Sequence, residues 1–334
     1  MRALITGGAG FIGSHLSEQL IESGHRVMVL DDLSTGSISN IVHLRHKPGF
    51  QHVIDSVMNK SLLAELVDEA DVIFHLAAAV GVRLIVESPV KTLHTNVRGT
   101  ELVLEMAAKK KKKVIVASTS EVYGKSNKIP FSEDDDLVIG PPVFGRWSYA
   151  CSKAIDEFLA LSYYRERRLP VVIVRFFNTV GPRQIGMYGM VLPRFVQAAL
   201  SGDPIRIYGD GNQSRCFGWV GDVVGAVMRL SEIEEAEGRI FNIGSDEEIS
   251  INGLASLVKE IADSDSAIEH ISYEQAYGKD FEDMRRRVPD LTRVKTTIGY
   301  APTKTIRQIV HAVTEHFRTS QKEESRFADL VPAD

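Results

Sequence analysis

Apolar residues follow two rhythms through the first half of the chain. Short runs at Met1 to Thr6, His25 to Leu30, Val72 to His75 and Val114 to Ser118 have the length of buried strands, and Val53 lies in a further strand-like stretch after a loop. Between them, Phe11 to Glu22 and Val90 to Ala108 place apolar side chains three and four residues apart, the spacing of a helix with one buried face. Strands that alternate with helices predict an α/β fold: a doubly wound parallel sheet with helices on both faces.

The rhythm changes at Asn178. Turn clusters at Gly181-Pro182, Gly202-Asp203-Pro204 and Gly209-Asp210-Gly211 separate shorter elements, which predicts a smaller C-terminal lobe whose segments interleave with the first domain. The expected division is 1–177 for the sheet domain and 178–318 for the second lobe. Past Arg318 the apolar periodicity lapses, so 319–334 is expected to be a flexible tail, frayed from Gln321.

The first strand passes into the first helix through Gly7-Gly8-Ala9-Gly10-Phe11-Ile12-Gly13. Glycine at 7 permits a tight turn, glycine at 10 lets the backbone approach a pyrophosphate at the helix N-terminus, and glycine at 13 lets the helix pack closely on the sheet. The second strand ends in Asp31-Asp32, about 20 residues beyond the glycines, where a carboxylate accepts hydrogen bonds from an adenosine ribose and repels the extra phosphate of NADP. The expected ligand is a dinucleotide, NAD in preference to NADP.

Composition removes several other classes of function. The 334 residues are 44% hydrophobic and 25% charged, with a formal net charge of −5, so there is no basic field for nucleic acid. No apolar run reaches the roughly 18 residues that would span a bilayer, and the N-terminal run lacks the flanks of a signal peptide. Cys151 and Cys216 lack metal-ligand spacing and fit a reducing compartment; a cytoplasmic protein without a metal is expected. The run Lys109 to Lys113 could be a nucleic-acid patch, but cations at a helix C-terminus also complement its dipole, and the second reading is preferred.

A second motif carries reaction chemistry. In Tyr149-Ala150-Cys151-Ser152-Lys153 the tyrosine and lysine lie four apart at the start of a helix running to Arg167, so the Lys153 ammonium can approach the Tyr149 phenol and lower its pKa toward that of a general base. The strand ending at Ser118 runs into Thr119-Ser120-Glu121-Val122-Tyr123-Gly124, which brings hydroxyls and a carboxylate to the C-terminal end of a parallel strand, where open α/β sheets bind ligands.

Together with His75-Leu76-Ala77-Ala78, Asn96, Gly99-Thr100 and Arg175 to Arg183, these motifs resemble the extended short-chain dehydrogenase/reductase family of nucleotide-sugar epimerases, dehydratases and decarboxylases, over nearly the whole chain to about residue 315. The resemblance implies a Rossmann-type NAD-binding fold. It places Gly7, Gly10, Phe11, Ile12 and Gly13 at the pyrophosphate, Asp31, Asp32, Ser34, Thr35 and Gly36 on the ribose side, and Asp55 and Ser56 near the adenine. Leu76, Ala77, Ala78 and Asn96 would line the cofactor channel, and Lys153 would bond the nicotinamide ribose. Thr119 and Tyr149 would meet the C4 hydroxyl, with Ser120 and Glu121 beside them.

For the substrate, the resemblance implies a UDP-sugar held by Val82, Asn178, Arg183, Val191, Phe195, Arg206, Tyr208, Arg215 and Arg287, with the two last-named arginines on the diphosphate. It also implies a homodimer paired through Val90 to Ala108 and Ser152 to Arg167, with Ile155, Phe158, Leu159 and Leu161 to Tyr163 as an apolar stripe. Thr119-Ser120-Glu121 is the pattern of UDP-glucuronate decarboxylases, and the lack of an aspartate at 120 argues against a 4,6-dehydratase. Arg146-Trp147-Ser148, Phe177 to Gln184 with Tyr188 to Val191, and Phe281 to Arg287 look more like bacterial UDP-sugar 4-epimerases. The expectation is a 4-epimerase with recycled NAD, with a decarboxylase as the alternative and a non-catalytic nucleotide-binding scaffold behind both.

Overall fold

The computed structural model describes residues 1–79, 88–186, 190–277 and 282–328. Six parallel strands of the first domain, β1 (Arg2–Thr6), β2 (Arg26–Asp31), β3 (Phe50–Ile54), β4 (Val72–His75), β5 (Lys113–Thr119) and β6 (Val171–Phe176), are joined by β7 (Arg239–Ile243) in one sheet of order β7-β6-β5-β4-β1-β2-β3. The order reverses between β1 and β4, where Thr6 pairs with His75, and such a switch point opens a crevice at the strand ends.

Alternate residues of each strand serve opposite faces of the sheet. Ala3 and Ile5 of β1 join the core beneath α1 (Phe11–Glu22), and Leu4 joins the core beneath α2 (Lys60–Glu69), α3 (Pro89–Lys110) and α4 (Trp147–Arg167). In the second lobe, α5 (Val191–Ser201), α7 (Ile251–Ala262) and α9 (Ile306–Ala328) enclose Leu192, Phe195, Leu254, Ile309 and Val313. Between these elements the chain returns to the first domain through α6 (Val220–Glu232) and β7, whose Val223, Val227 and Phe241 sit in the α1 core, while α8 (Thr292–Ile298) adds Val294 there. The predicted interleaving is this return.

One local reading changes, and another, the lysine run at a helix C-terminus, holds. The last helix runs to Ala328, past the expected fraying point, because Gln321 to Ala328 is rich in residues that favour helix without needing an apolar stripe. In the lysine run, Lys111 closes α3 in the left-handed region with φ 53°, and Lys112 Nζ donates to the Asp68 and Ala70 carbonyls at the end of α2. Lys110 pairs with Asp68 at 3.1 Å and Lys113 with Glu237 at 2.8 Å. The run therefore caps helix ends and pairs with acids. Among the described residues no helix is long and apolar enough to cross a membrane.

Helix α4 is fixed by buried charge. Arg175 of β6 donates from Nε and Nη2 to the two oxygens of Glu157 on α4, at 2.9 and 2.7 Å, and Ser118 of β5 donates to Glu157 Oε1 at 2.5 Å. Both charged side chains are under 5% exposed. Removing one partner strands the other, so Arg175→Met should lower unfolding stability by about 3–5 kcal/mol, and adding Glu157→Leu should recover much of the loss. Urea titration of the two variants checks this.

One buried and one half-buried imidazole, His75 and His15, give the fold an acid limit. Burial, helped by Arg183, holds His15 at about 4, and burial, helped by Lys153, holds His75 at about 3. Both folded-state values lie below the unfolded value near 6.5, so their contribution is complete above pH 6.5 and declines as pH falls, levelling near 4 for His15 and near 3 for His75. His15→Gln should reduce the fall in urea midpoint between pH 7 and pH 4.5 relative to the parent protein.

Candidate active site

The turn after β1 closes against β4. Gly7 has a φ of 75°, and a Cβ there would stand 2.7 Å from the Ala77 nitrogen, so only glycine fits. A Cβ on Gly13 would meet the Gly7 carbonyl oxygen at 2.3 Å, which assigns this glycine to packing α1 on the turn itself. Gly10 differs: only the Gly7 oxygen, at 3.1 Å, lies near its would-be Cβ. Phe11 and Ile12 follow in a helix without a side-chain cap and without an acidic residue in its first turn, leaving the positive end of its dipole for an anion.

Asp31 and Asp32 divide their work. Asp31 is buried and accepts the Ala9 N–H at 2.9 Å and the Leu33 N–H at 2.8 Å, tying the glycine turn to the end of β2. Burial pushes its pKa up, and these backbone donors hold it down only in part. Asp32 is exposed and accepts the Ser34 N–H at 3.0 Å. Thr35 and Gly36 follow, and a Cβ on Gly36 would lie 3.0 Å from the Ala9 backbone. Asp55, at the end of β3, takes the Ser56 N–H at 2.6 Å and the Asn59 amide at 2.8 Å.

On the other side of the crevice, the Leu76 N–H donates to the Thr6 carbonyl at 3.0 Å, and Leu76, Ala77 and Ala78 are half-buried. Asn96 is already engaged. Its side chain accepts the Ala79 N–H at 2.8 Å and donates to the Ala79 carbonyl and to Ser152 Oγ at 3.3 and 3.2 Å. It holds the backbone on this side of the crevice.

Thr119 ends β5 and caps the short 3-10 turn Ser120–Tyr123, accepting the Glu121 N–H at 3.3 Å, and its hydroxyl also bonds the Tyr149 phenol. Thus β5 and α4 bring together the hydroxyl and the phenol that the sequence paired. Ser120 is buried beside them. The expected tuning of Tyr149 differs: burial, then the negative charges of Glu121 and Asp156, push its pKa above the usual value, and the Thr119 bond offsets only part. Lys153 Nζ donates to Asp156 Oδ2 at 2.9 Å, so its charge is answered there.

Glu121 faces the second lobe. Burial alone would raise its pKa, but Arg287, at 3.3 Å, and Arg146 outweigh burial and hold the carboxyl below its usual range. Asp283 gathers three guanidinium groups: Arg215 at 2.8 Å, Arg146 at 3.1 Å and Arg287 at 3.6 Å, with the Tyr273 hydroxyl at 3.2 Å. Burial lowers Arg215 to about 10 despite Asp283. The two arginines expected at a diphosphate do converge, together with Arg146.

Other expected substrate contacts lie elsewhere. Asn178 donates its amide to the Cys216 carbonyl at 3.0 Å, and Arg183 is bonded to His15 and Glu18 of α1 and, at 3.2 Å, to the Asn40 carbonyl. Arg183 thus joins the second lobe to the cofactor domain. Phe195 is fully buried in the second-lobe core, where its size serves packing, and the guanidinium of Arg194 lies 3.9 Å from the Tyr208 ring centroid. Val191 is half-buried at the start of α5, and Arg206 is exposed and paired with Glu269 at 3.6 Å. Val82, Tyr188 and Phe281 lie outside the described residues. Asp156, Asp283 and Tyr273 were not expected: no spacing marks Asp283 from Glu282, and Asp156 reads as an ordinary helix-surface acid.

The crevice suits a dinucleotide by shape and charge. An open backbone at Gly10 adjoins a helix N-terminus without an acid, an exposed carboxylate follows at Asp32, and Tyr149 and Lys153 stand across the switch point. A family model described as GDP-mannose 4,6 dehydratase matches residues 4–313. The chain is 43% identical to a UDP-N-acetyl-alpha-D-glucosaminuronate decarboxylase of Bacillus cytotoxicus, over 95% of this chain and 98% of that one. It is 36% identical to UDP-glucuronic acid decarboxylase 4 of Arabidopsis thaliana, over 95% of this chain and 69% of that one. Among solved structures, UDP-glucuronic acid 4-epimerase from Bacillus cereus, in complex with UDP-glucuronic acid and NAD, superposes with a TM-score of 0.86 at 28% identity, over 96% of this chain and all of that one. With its parallel sheet, glycine turn and Tyr149–Lys153 pair, the chain belongs to this GDP-mannose 4,6-dehydratase-like family of extended short-chain dehydrogenases/reductases, whose members are NAD-dependent nucleotide-sugar enzymes.

Proposed function

We propose that the protein decarboxylates a UDP-uronic acid, which reverses the order in which the sequence ranked epimerase and decarboxylase. The observation that carries the proposal is Glu121: an ionised carboxylate in Thr119-Ser120-Glu121, paired with Arg287 and close enough to Tyr149 to raise its pKa. The first two relatives named above, both decarboxylases, support it.

Bound NAD would supply the acceptor for hydride from C4 of the sugar and the donor that restores it. Gly7, Gly10 and Gly13 would accommodate its pyrophosphate and Asp32 its ribose. Tyr149, hydrogen-bonded with Thr119, takes the C4 hydroxyl proton, which leaves a 4-keto uronate. That species is a β-keto acid: its C5–C6 bond breaks, the electron pair moves into an enolate across C5 and C4, and carbon dioxide departs. Glu121 keeps negative charge beside the reacting sugar, so loss of the substrate carboxylate relieves repulsion. C5 takes a proton from solvent, and when hydride returns to C4 the protonated Tyr149 gives its proton back to the C4 oxygen. Arg215, Arg287 and Arg146 would neutralise the diphosphate by exchanging Asp283 for its oxygens.

Decarboxylation needs no turning of the ring, whereas epimerisation requires the keto intermediate to present its opposite face. The 4-epimerase reading is favoured by the Bacillus cereus structure, which binds the same class of sugar. The protein as a homodimer in the cytoplasm completes the proposal: Val90 of α3 and Ile155 and Phe158 of α4 are exposed apolar side chains, and Leu159, Leu161 and Tyr163 pack on the chain's own core.

Incubation with UDP-glucuronate and with UDP-N-acetylglucosaminuronate, followed by proton NMR and carbon dioxide capture, is expected to give carbon dioxide and a UDP-pentose or its 4-keto form from one of them. A product that keeps C6 and has inverted C4 would establish the epimerase instead. Tyr149→Phe should lower turnover by about 10² or more while nucleotide affinity is retained; steady-state rates and calorimetry measure the two effects.

A further inference from the structure

Beneath α4, Lys153 and Asp156 form a closed pair: they are 3% and 0% exposed, and Lys153 Nζ donates to Asp156 Oδ2 at 2.9 Å. The second oxygen of Asp156, Oδ1, is buried without a hydrogen-bond partner among the described residues. The Lys153 ammonium is therefore the group that answers this buried carboxylate.

We infer that Asp156 is a positioning residue of the reaction, anchoring the Lys153 ammonium and setting, through its fixed negative charge, the pH range in which Tyr149 gives up its proton. The inference rests on Tyr149 and Lys153 being the proton-transferring pair of the proposed function. The charges around that pair are few. Glu121 and Asp156 act on Tyr149, which bonds Thr119; Lys153 and Glu157 act on Asp156; Glu157 is answered by Arg175 and Ser118, and Glu121 by Arg287. With Lys153 matched to Asp156, ionising Tyr149 adds an unmatched negative charge in a buried site, and with Asp156 neutral the phenolate itself becomes the counter-ion of Lys153.

Neutralising Asp156 should therefore move two proton equilibria in the same direction. In the NAD-loaded protein with ¹³C,¹⁵N-labelled lysine, the Lys153 Nζ signal, assigned by its loss in Lys153→Arg, should titrate in Asp156→Asn at a pH lower by about one unit or more, a tenfold loss of proton affinity. Both limbs of the kcat/KM against pH profile should also move toward acid, with KM for the UDP-uronate within about twofold of the parent, and Asp156→Glu should return the lysine titration toward its original position. An unchanged Lys153 titration, or a lower rate with both limbs fixed, would overturn the inference. If Asp156→Asn fails to fold, Asp156→Ser removes the same charge in a smaller side chain and should shift Lys153 in the same direction; no shift overturns the inference equally. Should neither uronate react, the proposed function fails, while the lysine titration still decides the role of Asp156.

Discussion

Tyr149 and Thr119 belong to different elements, and the interaction that sets their separation is the buried pair between Glu157 and Arg175. Glu157 lies two helical turns beyond Tyr149 on α4 and is bonded to Ser118, the residue before Thr119 on β5. Arg175 brings in β6, donates to the Glu133 carbonyl at 3.3 Å and lies 4.7 Å from the Tyr123 ring centroid, on the same short turn as Glu121. One ion pair thus positions the Tyr149 phenol, the Thr119 hydroxyl and the Glu121 carboxylate beside them. Its desolvation is tolerable because both carboxylate oxygens are matched by a bidentate fork.

The second lobe meets this unit through charge. Asp283 draws Arg146 from the start of α4 together with Arg215 and Arg287 from the second lobe, and Glu282 pairs with Lys125 at 2.9 Å and accepts from the Trp147 indole at 3.2 Å. Three guanidinium groups facing one carboxylate retain the capacity to bind a more highly charged anion. That capacity is what the diphosphate of the proposed UDP-sugar would require.

The sheet, the glycine turn and the Tyr149–Thr119 meeting were legible because each follows from local spacing: alternating elements for the sheet, glycines at a strand-to-helix junction, and residues at the C-terminal ends of parallel strands. Long-range partners were not. Lys153 was expected to act on Tyr149 from a four-residue spacing, but Asp156, three residues further on, competes for the same ammonium, and only burial distinguishes it from a solvated acid. Likewise Arg183 and Asn178 belong to a recognisable segment, yet their side chains are spent on α1 and on the Cys216 carbonyl, contacts that arise only once the lobes have folded together. The family likeness conveyed the chemistry of the site better than the destination of each side chain.

Asp31 holds Ala9 and Leu33 at once, and Asn40 together with Ser37 secures the Ala9 carbonyl from the other side, with bonds of 2.9 and 3.0 Å. The loop that would receive the pyrophosphate is therefore ordered before any ligand arrives. An ordered receptor surrenders little chain entropy on association, so more of the contact energy appears as residence time. In the proposed reaction, which borrows and returns hydride within one turnover, slow exchange of the dinucleotide would be no handicap, and a carboxylate buried for the sake of a loop would help keep the carrier in place from one cycle to the next.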